Sequence, residues 1–291
     1  MNPNGASPDS ASPDSASPDS ASPNSASPNT ASPDSASPRR GRPTTRAFPA
    51  ARRQTYAFLR DAAATRHVYL TTDVDASALV KARAESGGRI GFTSFVVKAA
   101  AGVVAAHPEC RTVIRDGLFP RVATVPGLYA KVLFDKTVDG TRCVVAGSVD
   151  DPDTRSVEDI QAAVDTLKAA PVEGDGPFRA VRMIQRLPVP LGGLLYRAAL
   201  RSPGRRAALQ GTFSVTSVGH RGVRSILPMI GGVLGFGVGR AEERALVREG
   251  RLVVAPVLTL SLVFDHRVLD GALAADVLAD VRDRLEGWSS T

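Results

Sequence analysis

The stretch L-S-L-V-F-D-H-R-V-L-D-G-A at residues 260–272 decides the fold of this chain. Residues 257–264 alternate large apolar side chains with smaller ones, which predicts a buried strand. Gly271 releases the chain into a helix whose apolar stripe is Leu273, Val277, Leu278, Val281 and Leu285. His266 therefore lies in a turn at the end of a rigid strand, and Asp270 closes that turn.

Outward from this strand, the apolar spacing predicts alternating helices and strands. A strand is expected over residues 67–74, and an Asp139-Gly140 turn joins two further strands. Residues 183–209 predict an amphipathic helical insert. Hairpins and an irregular rhythm favour an α/β fold of the α+β two-layer kind, a mixed β-sheet covered by helices, over a doubly wound parallel sheet. Further helices are predicted over residues 52–64, 75–84, 92–106, 156–169 and from 272 onward, and further strands over 211–218, 235–241, 245–249 and 251–257.

The first part of the chain has a different composition from the rest. Residues 6–40 repeat a five-residue unit of the type A-S-P-D-S, in which proline blocks helices and almost no side chain is apolar. We therefore predict a disordered tail and basic linker over residues 1–47. A single catalytic domain is expected over residues 48–291, which is enough chain for a substantial core.

Charge and apolar patterning exclude several classes of protein. The net charge is +7, but the arginine-rich linker has only Phe48 and Tyr56 as nearby aromatic residues, so nucleic-acid binding is not expected. No apolar run approaches the roughly 20 residues of a transmembrane helix. The two cysteines have no metal-ligand spacing, and no metal is expected. With no secretory signal visible, we expect a cytoplasmic protein.

Five stretches together resemble an acyltransferase family, the one that contains chloramphenicol acetyltransferase and the catalytic core of dihydrolipoyl acyltransferases. The resemblance spans about residues 48–287, and its stretches follow the order of the family. It implies the chloramphenicol acetyltransferase-like fold. The stretches are R-H-V-Y-L-T-T-D-V-D (66–75), F-T-S-F-V-V-K-A (92–99) with A-A-H-P-E (105–109), G-T-F-S-V-T-S-V-G (211–219), G-F-G-V-G-R (235–240) and L-S-L-V-F-D-H-R-V-L-D-G-A (260–272).

The resemblance also implies the roles of particular residues. In this family the histidine of the H-x-x-x-D-G motif is the general base, which is His266 here. A strand hydroxyl stabilises the oxyanion, a position that corresponds to Thr216 where serine is usual; Ser217 is the second candidate. Asp270 is expected to pair with an arginine of the first helix, Arg52 or Arg53, with Arg52 preferred.

The same resemblance implies substrates and assembly. We expect a freestanding acyltransferase that takes its acyl group from coenzyme A or an acyl carrier protein and passes it to a small hydroxyl, amine or thiol acceptor. Family relatives place the site between subunits, so a homotrimer or a multiple of trimers is expected. The first 47 residues contain no lysine, so no lipoyl attachment or other covalently bound cofactor is expected in this segment.

Other interpretations remain open on sequence grounds. His266 could be an ordinary turn histidine, with Asp270 capping the next helix. The fold could serve as a catalytically silent scaffold or assembly core. The same base could also perform another reaction on a carrier-bound intermediate. The insert at 183–209 has no recognised counterpart in the typical family core; it could line an acyl pocket, attract the phosphates of coenzyme A, or simply pack.

Overall fold

The computed structural model describes residues 45–115 and 118–289, and one compact unit spans Ala47–Thr291. The predicted tail lies almost entirely outside the described residues. The α-helices are α1 (Arg53–Ala62), α2 (Ser77–Glu85), α3 (Phe92–Ala106), α4 (Val157–Ala169), α5 (Arg179–Arg186), α6 (Val189–Ala199), α7 (Pro203–Gln210) and α8 (Gly271–Glu286). The strands are β1 (His67–Asp75), β2 (Thr112–Arg115), β3 (Arg121–Thr124), β4 (Tyr129–Val138), β5 (Thr141–Asp150), β6 (Phe213–Ser217), β7 (Leu234–Val238), β8 (Glu242–Arg248) and β9 (Arg251–Asp265).

Seven of these strands form one mixed sheet in the order β1-β9-β7-β6-β4-β5, with β8 paired to the first half of β9. Strand β6 runs parallel to both β4 and β7, whereas the other neighbouring strands are antiparallel. The predicted mixed sheet covered by helices is thereby confirmed. Strands β2 and β3 form a separate two-stranded hairpin that the sequence analysis did not predict.

Strand β9 organises the core. Its last nine residues, Val257 to Asp265, are all buried, and they pair with β1 on one side and β7 on the other. The prediction of two separate strands over 251–257 and 257–264 was wrong, because β9 is continuous. Pro256 does not end the strand: it still faces Glu243 of β8, and its carbonyl accepts a hydrogen bond of 2.8 Å from the Ala76 amide.

The insert forms α5, α6 and α7, so its predicted helical character is confirmed. Ile184, Tyr196 and Leu200 pack against Ala57 of α1 in a small apolar cluster apart from the main core. The opposite side of α6 carries three exposed leucines, Leu191, Leu194 and Leu195. The insert is therefore attached to the domain mainly through the first helix.

The G-F-G-V-G segment lies in β7 and its end, as the sequence predicted, and not in a dinucleotide-binding loop. A Cβ atom at Gly237 would come within 2.1 Å of the Ile226 carbonyl oxygen, and one at Gly239 within 1.8 Å of the Arg224 oxygen. The alternating glycines therefore let the loop after β6 cross directly over this face of the sheet.

Candidate active site

His266 lies in the turn that follows the buried strand β9. Its amide donates a hydrogen bond of 2.9 Å to the carbonyl of Arg66, which extends the pairing of β1 and β9 by one residue. The imidazole itself is 46% exposed and packs beside Phe264, with 5.5 Å between ring centres. A rigid strand thus presents an accessible imidazole at the surface of the domain.

The neighbours of His266 hold the turn in place. Asp265 is only 3% exposed, and its carboxylate accepts a hydrogen bond of 2.9 Å from Arg267 Nε and one of 3.1 Å from the Arg267 amide. The Arg66 amide donates to the same carboxylate at 3.3 Å. Burial acts to raise the pKa of Asp265, but the hydrogen bonds from Arg267 outweigh it and the pKa is lowered. The ion pair between Asp265 and Arg267, the residues on either side of His266, therefore holds the turn in place.

Sequence reasoning did not identify Asp265 and Arg267 as part of the site. A signal was available: Asp265 is a charged residue directly after an apolar strand, and an arginine follows two positions later. Side chains at such spacing point to the same side where a strand turns over. The burial of the carboxylate, which makes the pair strong, could not be read from this spacing.

Asp270 lies further from the imidazole than a hydrogen bond allows. Its Oδ1 is 3.9 Å from His266 Nδ1, and its side chain is 93% exposed. It occupies the N-cap position of α8, yet its side chain makes no capping hydrogen bond. This carboxylate therefore shows neither the structural role that the resemblance implies nor ordinary helix capping.

The expected pairing of Asp270 with an arginine of the first helix is not met. Arg53 donates instead to the carbonyls of Leu187, at 3.0 Å, and Gln185, at 3.3 Å. These carbonyls lie at the C-terminal end of α5, where backbone acceptors lack helical partners. Arg52 is exposed and acts electrostatically on Cys143 of β5. Arg53 thus binds the insert instead of Asp270. No described arginine forms an ion pair with Asp270.

Thr216 and Ser217 lie at the end of β6. Phe213 and Val215 are buried, whereas Thr216 is half-buried and points to the opposite face of the sheet. The Ser217 hydroxyl accepts a hydrogen bond of 3.4 Å from the Gly219 amide, while the Thr216 hydroxyl has no hydrogen-bond partner among the described residues. Thr216 is therefore the hydroxyl that is available to a ligand.

Within this chain, His266 and Thr216 are far apart. Thr216 pairs with Gly237, which in turn pairs with Ser261, so Thr216 is level with Ser261. Ser261 is five residues before His266, or roughly 16 Å along an extended strand. The structure therefore does not bring the candidate base and the candidate oxyanion donor together in a single chain.

The described residues give little support for a metal site, a cysteine nucleophile or a membrane-spanning helix. They contain no group of three or more histidine, cysteine, aspartate or glutamate side chains placed to hold a metal ion. Burial raises the pKa of the Cys110 thiol to about 12, so this cysteine is a poor nucleophile. None of the described helices has the length and apolar character that spanning a bilayer requires.

Comparisons with known proteins bear on both the fold and the C-terminal third of the chain. Residues 199–291 match the family model of the 2-oxoacid dehydrogenases acyltransferase (catalytic domain). Over 227 residues the chain is 27% identical to the dihydrolipoyllysine-residue acetyltransferase component of the pyruvate dehydrogenase complex of Bacillus subtilis, a match that covers 74% of this chain and 44% of that protein. The chain thus spans about half the length of the curated relatives it matches.

Solved structures show the same architecture. The cubic core of the pyruvate dehydrogenase multienzyme complex superposes with a TM-score of 0.64 at 20% identity, covering 85% of this chain and 93% of that chain. A probable dihydrolipoamide acetyltransferase from Listeria monocytogenes gives a TM-score of 0.61 at 18% identity and covers 84% and 95%. The protein therefore has the fold of the dihydrolipoamide acyltransferase catalytic cores, and residues 199–291, which include His266, carry the match to the 2-oxoacid dehydrogenase acyltransferase family.

Proposed function

We propose that this protein is an acyltransferase that moves an acyl group from a thioester of coenzyme A or an acyl carrier protein to a small hydroxyl, amine or thiol acceptor. The observation that carries the proposal is His266, an accessible imidazole held at the end of a buried strand by the Asp265–Arg267 pair. The match of residues 199–291 to an acyltransferase catalytic domain supports it. We propose a cytoplasmic location on the sequence grounds given above.

The proposed reaction includes two proton transfers at His266, forms one bond to the acceptor and breaks the carbon–sulfur bond of the thioester. The neutral imidazole of His266 accepts the proton of the acceptor, a general-base step for which histidine is the side chain most often used. The acceptor then attacks the thioester carbonyl and forms a tetrahedral oxyanion. When the carbon–sulfur bond breaks, the thiolate receives the proton from the imidazolium. The turn held by Asp265 and Arg267 keeps the ring in position throughout.

The oxyanion requires a donor, and within one chain the described candidate hydroxyls on β6 do not lie near His266. We propose that Thr216 of a neighbouring protomer supplies it, and that the protein is therefore a homotrimer or a multiple of trimers. The roughly 16 Å that separate Ser261, level with Thr216, from His266 along the strand support this arrangement. The Thr216 hydroxyl, which has no hydrogen-bond partner among the described residues, also supports it.

The experiment that tests the function begins with His266→Ala, assayed for release of free thiol from a panel of acyl thioesters. Turnover is expected to be lost while the circular dichroism spectrum and oligomeric state remain those of the wild type. His220→Ala is the matched control, because His220 is also an exposed histidine in a turn. Wild-type turnover in His266→Ala would disprove the role of this base, and no turnover of any thioester by the wild-type protein would favour the silent scaffold.

Mixed oligomers test the shared site. The impaired variants His266→Ala and Thr216→Ala are mixed in equal amounts, unfolded and refolded together. If each site takes its histidine and its hydroxyl from different chains, about a quarter of the sites regain both groups by random assembly. Activity that stays at the level of the separate variants would show that the two residues do not combine across an interface.

A further inference from the structure

A cavity of about 550 Å³ lies directly beside the turn that carries His266. Ala64 and Arg267 both line it, and their near neighbours Arg66 and His266 are joined by a backbone hydrogen bond of 2.9 Å. The cavity also contacts the end of β2 and the helices α6 and α7. Its size falls within the range of small-molecule sites. The insert therefore forms one wall of a space that opens next to the candidate base.

The charge of this cavity is strongly one-sided. Five arginines line it, whereas Asp61 is the only acidic residue among its described lining residues. Asp61 is already neutralised, since Arg206 Nη2 lies 3.1 Å from its carboxylate and the Gln210 amide donates to it at 2.8 Å. Arg267 is bound to Asp265. The remaining three arginines are Arg115, Arg197 and Arg201.

These three arginines have no ion pair and no side-chain hydrogen bond with any described residue. Arg115 is the last residue of β2, Arg197 lies in the last turn of α6, and Arg201 follows four positions later. Arg201 lies in the turn that joins α6 to α7, and both it and Arg197 line the cavity. All three are exposed, and together they give this cavity an excess of positive charge that favours an anion.

Guanidinium groups in this number fit a phosphate or diphosphate better than a single carboxylate. Each guanidinium can donate two parallel hydrogen bonds to phosphate oxygens, and a diphosphate offers enough oxygens for three of them. We propose that this cavity binds a phosphate or diphosphate group carried by the substrate that reaches His266. The inference rests on the proposed function for the substrate's identity, but the binding of the anion itself does not.

Two sources share this chemistry, namely the phosphates of a coenzyme A-type thioester and a free phosphate compound. Arg267, which follows His266 directly, lines the same cavity, so a substrate held by its phosphates at Arg197 and Arg201 would lie on the side of the domain that carries the candidate base. The arginines would then lower KM and leave kcat nearly unchanged, because they contact a part of the substrate that does not react. If the ligand is instead a separate, free phosphate compound, it binds the same arginines. An acyl donor without phosphate does not contact these arginines, so they have no effect on its KM.

The first experiment measures binding of pyrophosphate to the full-length protein by titration calorimetry at low salt. Arg197→Ala and Arg201→Ala are each expected to weaken this binding about tenfold. The matched control is Arg205→Ala, an exposed arginine of α7 that does not line the cavity, which should leave the affinity unchanged. Absence of pyrophosphate binding, or equal losses in all three variants, would overturn the site, and neither outcome depends on catalysis.

The second experiment compares acetyl-CoA with acetyl-pantetheine, which carries the same thioester without any phosphate. Arg201→Ala is expected to raise KM for acetyl-CoA about tenfold with kcat retained, and to leave KM for acetyl-pantetheine unchanged. Equal effects on both donors, or no effect on either, would show that the cavity does not hold the phosphates of the donor. If pyrophosphate binds while no thioester is turned over, the anion site stands and the proposed function fails.

Discussion

Lys131 of β4 gives the sharpest prediction about stability, because it is a lysine with only 8% of its surface exposed. Its cross-strand neighbours are Ser148 on β5 and Ser214 on β6, and no described residue forms an ion pair or side-chain hydrogen bond with it. Burial lowers the pKa of Lys131 from 10.5 to about 8, although the charge of Asp150 acts in the opposite direction. The folded protein therefore holds this ammonium group at a cost.

The direction of the pH dependence follows from the two pKa values. Between pH 8 and 10.5 the unfolded chain keeps the proton that folded Lys131 has already lost, so stability from this group rises with pH. Below pH 8 the full cost of the buried charge is present. The pKa values differ by about 2.5, which corresponds to about 3 kcal/mol. We expect Lys131→Met to stabilise the protein by about this amount at pH 7.

The assay is urea unfolding of the wild type and Lys131→Met at pH 7, 8, 9 and 10, at one protein concentration. The gain should be constant below pH 8 and should shrink toward zero as the pH approaches 10.5. The difference between the two proteins is measured because burial also raises the pKa of Tyr196 and Cys110, whose contributions cancel. Lys81→Met, at an exposed lysine, is the control. A gain that does not vary with pH, or a destabilised variant, would refute the reasoning.

Three further predictions concern the site and the sheet. Thr216→Ala should cost about 2–4 kcal/mol of transition-state stabilisation in thioester turnover, whereas an unchanged rate together with a defect in Ser217→Ala would move the oxyanion role to the neighbour. Asp265→Asn should lower the free energy of unfolding, measured in urea at pH 7, by about 3 kcal/mol. Because the pKa of Asp265 is lowered in the folded state, that difference should shrink as the pH falls below about 4, and a difference that persists there would exclude the ionic pair as its source. Gly239→Ala places a Cβ 1.8 Å from a carbonyl oxygen and should destabilise the folded protein by about 1–3 kcal/mol or more. Gly193→Ala, in an open helical position, should stabilise it by up to about 1 kcal/mol. Equal thermal midpoints for the two variants would contradict this contrast.

Much of the secondary structure could be predicted because it depends on local periodicity. The helix over 92–106 was predicted with the bounds of α3, and the helix predicted over 156–169 is α4, which Ser156 caps by accepting a hydrogen bond from the Asp159 amide. The hairpin β2–β3 was not predicted, since its short strands carry no strong alternation. The continuity of β9 was also missed, because Pro256 suggests a break whereas pairing with β8 maintains the strand.

Only part of the candidate site could be predicted from the sequence. By itself the sequence determined that a histidine follows a buried strand and that a hydroxyl ends another, because both depend on strand alternation and a turn of a few residues. Only the tertiary structure decided that these groups lie at different levels of the sheet, that Arg53 binds the insert rather than Asp270, and that Arg115, Arg197 and Arg201 share one cavity. These relations join residues far apart in the chain, and they depend on strand order and helix packing, which no local pattern encodes.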